Sequence, residues 1–317
     1  MRPLTRRAFL SAPLALSTSA CVRTRPPLVV ATNRWIGYEP FYIARELNAY
    51  PGRAPHLVEF GSASEVVRAL ASGVIDAGAL TLDEALQLMQ HNPDIAVALV
   101  LDESFGADAL VASGGLASAA ELRGRRVGAD SLALGAFMLG RALQHGGLAP
   151  SDVTLVHVSY EAQLKALDSG EVDALVTFEP VLGQLTARGA RVLFDSSDIP
   201  GEVVDVLVVR QQALADRDGR LVSLLQGWFA GCDALLGSEP AALAAVAARQ
   251  QIPPGEVKPA LQRLRFPSLH ENRHRFAEKA TLLASMRRMH ALLAGFGLVE
   301  GAPPSGRQIV SLPEVLA

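Results

Sequence analysis

The chain has 317 residues, with 29 Lys and Arg against 32 Asp and Glu for a formal net charge of −3. Half of it is apolar and only 19% is charged, so a large core can form and general disorder is excluded, while the near-neutral balance argues against a nucleic-acid surface with its basic excess. No apolar run reaches the ~18–20 residues of a membrane-spanning helix, and the two cysteines, Cys21 and Cys232, cannot build a disulfide framework or a zinc knuckle.

The chain opens Thr5-Arg6-Arg7-Ala8-Phe9-Leu10, followed by a weakly apolar stretch to Ala20 and then Cys21. A basic start, a short apolar segment and small residues before a cut site describe an export signal over residues 1–20. The paired arginines fit the twin-arginine variant, with Thr5 in the place usually held by Ser; the alternative is an ordinary secretory signal with two incidental arginines. Thr18-Ser19-Ala20-Cys21 resembles the bacterial lipobox, in which the cysteine after the cut is lipidated and tethers the protein, although Thr18 stands where Leu is preferred. Lipidation of Cys21, with 21–26 as a short linker, is the expectation; plain cleavage to a free periplasmic protein is the other reading. Cys232 then reads as a small buried residue.

Beyond the signal, short apolar runs alternate with helical patterns. Leu28–Thr32, His56–Phe60, Ile75–Leu80 and Ile95–Leu101 read as strands, and Pro40–Tyr50, Ser64–Ala71 and Leu82–Gln90 carry apolar residues at helical spacing. A second alternation runs from Ala109 to Arg210, with strands near Val127–Ala129, Thr154–Val158, Val172–Phe178 and Val192–Phe194. After Gln211 the strands stop and helices continue to about Gly295. This predicts an α/β fold with mostly parallel sheets, and at roughly 150 residues per domain the length predicts two domains.

An internal repeat supports that division. Ala69-Leu70-Ala71-Ser72-Gly73-Val74-Ile75-Asp76-Ala77 matches Ala166-Leu167-Asp168-Ser169-Gly170-Glu171-Val172-Asp173-Ala174, and the same offset lays Ser62 on Ser159. The glycine suits the left-handed position that ends a helix, and the aspartate is expected to turn the chain into the next strand. The repeat is too long for a solenoid and fits two related α/β lobes with a cleft between them, faced by strand ends and helix N-termini.

The loops at those strand ends are the candidate site. Asn33-Arg34-Trp35-Ile36-Gly37-Tyr38 supplies aromatic surfaces and a glycine for close backbone approach. Ser62 and Ser64 precede one helix, Thr81 a second and Ser131 a third, while Tyr160 follows Ser159. Hydroxyls and N–H groups at helix N-termini suit an anionic oxygen, so the expected site tolerates an anion without a cationic side chain. Glu39, Asp83, Glu103, Glu161, Glu179 and Asp205 are placed near it, mostly as helix-dipole partners, with one or two available to an ammonium of the ligand.

The segment Trp35-Ile36-Gly37-Tyr38-Glu39-Pro40-Phe41-Tyr42-Ile43-Ala44-Arg45-Glu46-Leu47 resembles the opening of the nitrate/sulfonate/taurine family of ABC-transporter substrate-binding proteins. Gly61–Leu70, Leu80-Thr81-Leu82-Asp83-Glu84-Ala85, Thr177-Phe178-Glu179-Pro180 and the stretch from Phe266 to Arg273 resemble further segments of that family, in the same order. The resemblance implies a two-lobed type II periplasmic binding protein with two crossover strands, near Asp102–Asp108 and Val203–Val209, and an interlobe cleft. Lobe 1 would hold 27–105 and 205–317, lobe 2 106–204. It places ligand contacts on Trp35, Gly37, Tyr38, Ser62, Ser64, Thr81, Ser131, Tyr160 and Glu179. It implies a monomer that catalyses nothing, needs no cofactor or metal, and hands a small solute (sulfonate, taurine or nitrate class) to a membrane permease and its ATPase. A pyrimidine ligand, a sensory partnership with a membrane receptor kinase and an enzyme on the same fold remain as alternatives.

His270-Glu271-Asn272-Arg273-His274 formally matches the H-E-x-x-H zinc helix. The surrounding arginines make the segment look solvated, so no metal is expected there. The arginines between 263 and 275, with Arg287 and Arg288, read as a solvated face.

Overall fold

The computed structural model describes residues 25–129, 134–214 and 219–310; the export segment, Cys21 and Ser131 lie outside them. The first half runs β1 (Val29–Asn33), α1 (Glu39–Glu46), β2 (His56–Phe60), α2 (Ala63–Ser72), β3 (Ala77–Thr81), α3 (Leu82–His91) and β4 (Ile95–Ser104). There follow β5 (Asp108–Ala112), β6 (Arg126–Ala129), α4 (Leu134–His145), β7 (Thr154–His157), α5 (Gln163–Asp168), β8 (Ala174–Phe178), α6 (Val181–Ala187) and β9 (Arg191–Asp195). The chain ends with β10 (Val204–Arg210), α7 (Gln211–Leu214), α8 (Arg220–Leu236), α9 (Pro240–Gln250), α10 (Pro254–Leu261), β11 (Leu264–Arg265), α11 (Leu269–Ala277) and α12 (Lys279–Gly295).

Two sheets result, one of six strands in the order β11-β4-β10-β3-β1-β2 and one of five in the order β7-β6-β8-β5-β9. In each, a parallel trio (β2-β1-β3, β7-β6-β8) forms because helices carry the chain back to the same end before the next strand. Beside the trio lies an antiparallel strand, β10 in the first sheet and β5 in the second, paired on its far side with β4 or β9. The sheets are therefore mixed rather than mostly parallel. Each is completed by a strand that the chain supplies as it passes between them, out between Ser104 and Asp108 and back between Asp195 and Val204. Nor do strands stop at Gln211, since β11 adds two residues to the edge at β4.

The repeat appears in both sheets. Gly73 ends α2 at φ 75°, and Gly170 follows α5 at φ 71°, both left-handed. The repeated aspartates do more than turn the chain. Asp76 Oδ2 accepts from the Val29 N–H at 2.9 Å and Asp173 Oδ2 from the Arg126 N–H at 2.8 Å, so each clamps the start of the central strand 47 residues back.

Two further features position the site. α8 packs on α1 with Trp228 against Phe41 at 4.5 Å between ring centroids, an approach that Gly231 permits because a Cβ there would lie 2.1 Å from the Pro40 carbonyl oxygen. The two passages between sheets are tied together: Ser104 and Ser196 hydroxyls lie 2.7 Å apart, and the Gly106 N–H donates to Ser196 Oγ at 2.7 Å. Among the described residues no helix is long and apolar enough to cross a membrane.

Candidate functional site

The two sheets face each other across a cavity of about 60 Å³, room for a handful of waters or one small solute. From the first sheet come Asn33, Arg34, Trp35 and Tyr38 after β1, Gly61–Ser64 after β2, Thr81 and Glu84 where β3 meets α3, and Asp205 of β10. From the second come Asp108 of β5, Leu134, Tyr160 and Phe178. Of the expected residues, Trp35, Tyr38, Ser62, Ser64, Thr81 and Tyr160 thus meet on one cavity.

Gly37 sits beneath the wall and is a spacer: a Cβ there would lie 2.2 Å from Trp35 Nε1 and 2.5 Å from Asp102 Oδ2. Glu179 is absent from the lining. Its Oε1 lies 3.3 Å from Arg263 Nη1 and its Oε2 accepts from the Gly183 N–H at 3.2 Å. Burial raises the Glu179 carboxyl, with Arg263 opposing. Two of the acids placed near the site are engaged elsewhere. Glu39 pairs with Arg249 at 3.1 Å and accepts from Gln250, and Glu103 pairs with Arg265 and Arg275.

An aromatic strip crosses the cavity. Trp35 meets Phe178 edge-on at 5.4 Å, and Phe178 stacks on Tyr160 at 5.4 Å and 21°. Arg34 reaches over this strip, its guanidinium carbon 6.0 Å from the Tyr160 centroid, and it makes no ion pair within the described residues. The site therefore does hold a cationic side chain, contrary to the expectation from sequence. Beside it, Ser62 occupies the N-cap position of α2 with its hydroxyl unbonded to the helix backbone, whereas the buried Trp35 Nε1–H is set toward the Asp102 carboxylate. Arg34 and the Ser62 hydroxyl suit an anionic group.

The floor has the opposite character. Asp205 of β10 stands in register between Thr81 of β3 and Asp102 of β4, so strand pairing brings two carboxylates side by side. The Tyr38 hydroxyl donates to Asp205 Oδ1. Burial, reinforced by Asp102, raises the Asp205 carboxyl well above the ordinary range, and burial likewise raises Asp102. Asp108, only 2% exposed, is pushed up to about 7 by burial, and its Oδ2 has no hydrogen-bond partner. Burial and then Asp83 raise Glu84, whose Oε2 accepts from the Thr81 N–H at 3.1 Å.

Sequence reasoning passes over Arg34, Asp102 and Asp108 as site residues. Arg34 adjoins Trp35 in the very loop singled out, and the aspartates are lone acids at the ends of apolar strands, a pattern that signals a buried polar site. His270 and His274 are exposed on α11, and among the described residues no group of three ligating side chains is spaced to hold a metal ion. Cys232 is buried on α8 with its thiol raised by burial, the state of a packed rather than reactive cysteine.

The sequence model of the NMT1-like family matches residues 24–250. The taurine-binding periplasmic protein of Escherichia coli (strain K12) is 27% identical over 179 residues, 55% of this chain and 56% of that protein, so the chain matches little more than half of that relative's length. The alkanesulfonate-binding protein SsuA from Xanthomonas axonopodis pv. citri, solved bound to MOPS, superposes with a TM-score of 0.73 at 17% identity, covering 90% of this chain and 99% of that one. The desulfurization enzyme DSZB superposes with a TM-score of 0.66 at 18% identity, covering 91% of this chain and 98% of that one. The fold is thus the two-sheet α/β fold of periplasmic binding proteins, on which at least one enzyme is also built.

Proposed function

Because the chain belongs to the NMT1-like family, we propose that it is the extracytoplasmic substrate-binding component of an ABC importer, capturing a small anionic or zwitterionic solute of the sulfonate and taurine class. The observation that carries this reading is the cavity itself, lined from both sheets, with Arg34 and Ser62 at the start of α2 among its lining donors. The taurine-binding relative and the alkanesulfonate-binding neighbour support the same class.

In this reading lobe 1 comprises 27–105 and 205–317 and lobe 2 106–204. Trp35, Tyr38, Ser62, Ser64, Thr81, Tyr160 and Arg34 contact the solute, with Ser131 joining from lobe 2, and Gly37 and Glu179 act behind them. A ligand held by both lobes favours the closed state over the open one. The closed protein then meets a membrane permease coupled to an ATPase. Export through a twin-arginine signal, a lipid tether at Cys21, a periplasmic location, a monomeric state and the lack of catalysis complete the proposal. A second ligand class, a flat pyrimidine, is favoured by the Tyr160–Phe178 stack.

A thermal-shift series on the purified protein tests this, using taurine, alkanesulfonates, nitrate and an aminopyrimidine. A true ligand at about 100 times its Kd adds ~2.7 kcal/mol, a shift of a few degrees. We expect the shift with a sulfonate, lost in Trp35→Ala and Ser62→Ala. A shift with the aminopyrimidine alone would move the assignment to the second class, and no shift with any compound would refute a binding role for these chemistries.

A further inference from the structure

We infer that the protein has a second ligand site on the back of β4 and β10, where a groove of about 340 Å³ takes a free medium-chain carboxylate, with its head group at Arg288. This goes beyond the solute cavity and does not depend on which solute that cavity holds.

Only the sheet separates the two sites. Successive side chains of a strand point to opposite faces, so Asp205 faces the cavity while Val204 and Val206 back onto the groove. On β4 the alternation shifts by one. Asp205 pairs with Asp102 but Val206 pairs with Val100, which leaves Leu101 as the extra residue of a bulge. The bulge turns Asp102 toward Trp35 and Asp205 and leaves Val100 beside Val206 on the groove side. Leu282, Met289 and Leu292 of α12 form one wall, and Pro200–Glu202, on the passage returning between the sheets, form another.

The charges of the lining select the occupant. Glu202 is held by Arg141 at 2.8 Å, and Glu103 by Arg265 at 2.9 Å and by Arg275, so both carboxylates on the groove are already neutralised. Arg288 is exposed, donates to Ser285 Oγ at 2.9 Å, and makes no ion pair among the described residues. An anionic head gains a charge-assisted bond there, and a cationic one is repelled. Taking the ~30 Å³ that a water fills in the liquid as the unit, the groove has room for about ten non-hydrogen atoms of an apolar chain.

The walls also belong to different halves of the molecule. The Arg141–Glu202 pair ties the passage to α4, which packs on the second sheet, whereas α12 packs on α3 of the first. The width of the groove therefore changes with the setting of the two sheets. In this structure the halves touch through Trp35 and Phe178, so an occupant fitted to the groove at this width favours the drawn-together arrangement. This coupling rests on the closure proposed above, whereas the seat itself does not.

Calorimetric titration of the whole protein with decanoate, hexanoate and decyltrimethylammonium, each below its micellar range, tests the seat. We expect decanoate to bind at one site, at least tenfold more tightly than either control, because every further methylene buried adds about fourfold and the cation meets Arg288. Arg288→Gln should weaken decanoate at least fivefold, and Ser285→Phe, which fills the groove from α12, at least tenfold, with melting temperatures showing that both variants fold. Should Ser285→Phe fail to fold, Arg288→Gln and the two controls carry the test. Equal binding of decanoate and decyltrimethylammonium, decanoate binding that neither substitution weakens, or no decanoate binding overturns the site. Hydrogen exchange reads the coupling: with decanoate bound, the amides of Gly61–Ser64, Ser159 and Tyr160 at the mouth of the cavity should exchange at least threefold more slowly. Unchanged exchange at saturating decanoate supports the seat and overturns the coupling to closure. The solute assignment is decided separately, by the thermal-shift series.

Discussion

Gly37 and Arg34 are three residues apart and answer to different forces. Gly37 keeps the Trp35 indole and the Asp102 carboxylate close, with no room for a methyl group between them. Gly37→Ala must push Trp35 out of the wall, so we expect at least a tenfold loss of ligand affinity by calorimetry together with a lower melting temperature, the usual result of overpacking by about 1–3 kcal/mol. Arg34 holds no ion pair within the described residues, so Arg34→Ala should leave the melting temperature within a degree or two while weakening an anionic ligand at least tenfold. An equal fall in stability for both variants would mean that Arg34 braces the fold instead of serving the ligand. Arg34 stands in plain view in the sequence, yet an arginine in a polar loop looks like solvated surface. Only the crossing aromatic strip, in which Trp35 and Phe178 are 143 residues apart, gives it a place to lie.

At the scale of elements, the matched helix–glycine–strand units are local patterns, which is why the sequence exposes both of them. The partner of each repeated aspartate is not local. Asp76 and Asp173 hold β1 and β6 through backbone N–H groups 47 residues away, and nothing in the neighbouring residues announces that bond. The antiparallel strands β5 and β10 are hard to read for a related reason: their apolar runs fix a buried strand but not its direction or its neighbours. Asp76→Ala and Asp173→Ala each leave a strand-initiating N–H without its partner. Each should cost about 1–3 kcal/mol in urea denaturation, and the double variant should cost the sum within about 0.5 kcal/mol, because the two sites share no partner. Marked non-additivity would show that the two sheets sense each other's central strand.

Across the whole molecule, buried acids make stability depend on pH in an unusual direction. Burial raises Glu39 and Asp108 to about 7 and raises Asp83, Glu84, Asp102 and Asp205 as well. Such groups hold protons in the folded state that the unfolded chain has already lost above about pH 4. Stability must then fall as pH rises from about 4 toward the raised folded value of each group, by up to about 1.4 kcal/mol per unit for a group between those two values, and level off above them. The melting temperature of the ligand-free protein should therefore drop by several degrees between pH 5 and 8 in calorimetry, and Glu39→Gln should flatten part of that slope; a rise over this interval would contradict the burial account. A second whole-molecule effect comes from Arg263, which links Glu179 beyond β8 to the Gly106 carbonyl at 3.3 Å and, through its own carbonyl, to the Phe105 N–H. Arg263→Ala should weaken ligand binding several-fold by releasing one contact between the halves, without touching the cavity wall. The two tryptophans divide along the same line. Trp228 is sealed in the packing of α8 on α1, whereas Trp35 borders the cavity against an aromatic ring from the other sheet. The protein thus carries its own optical gauge: emission from Trp228 stays constant and shielded from an iodide quencher, and any change on mixing with a solute reports from Trp35 at the seam.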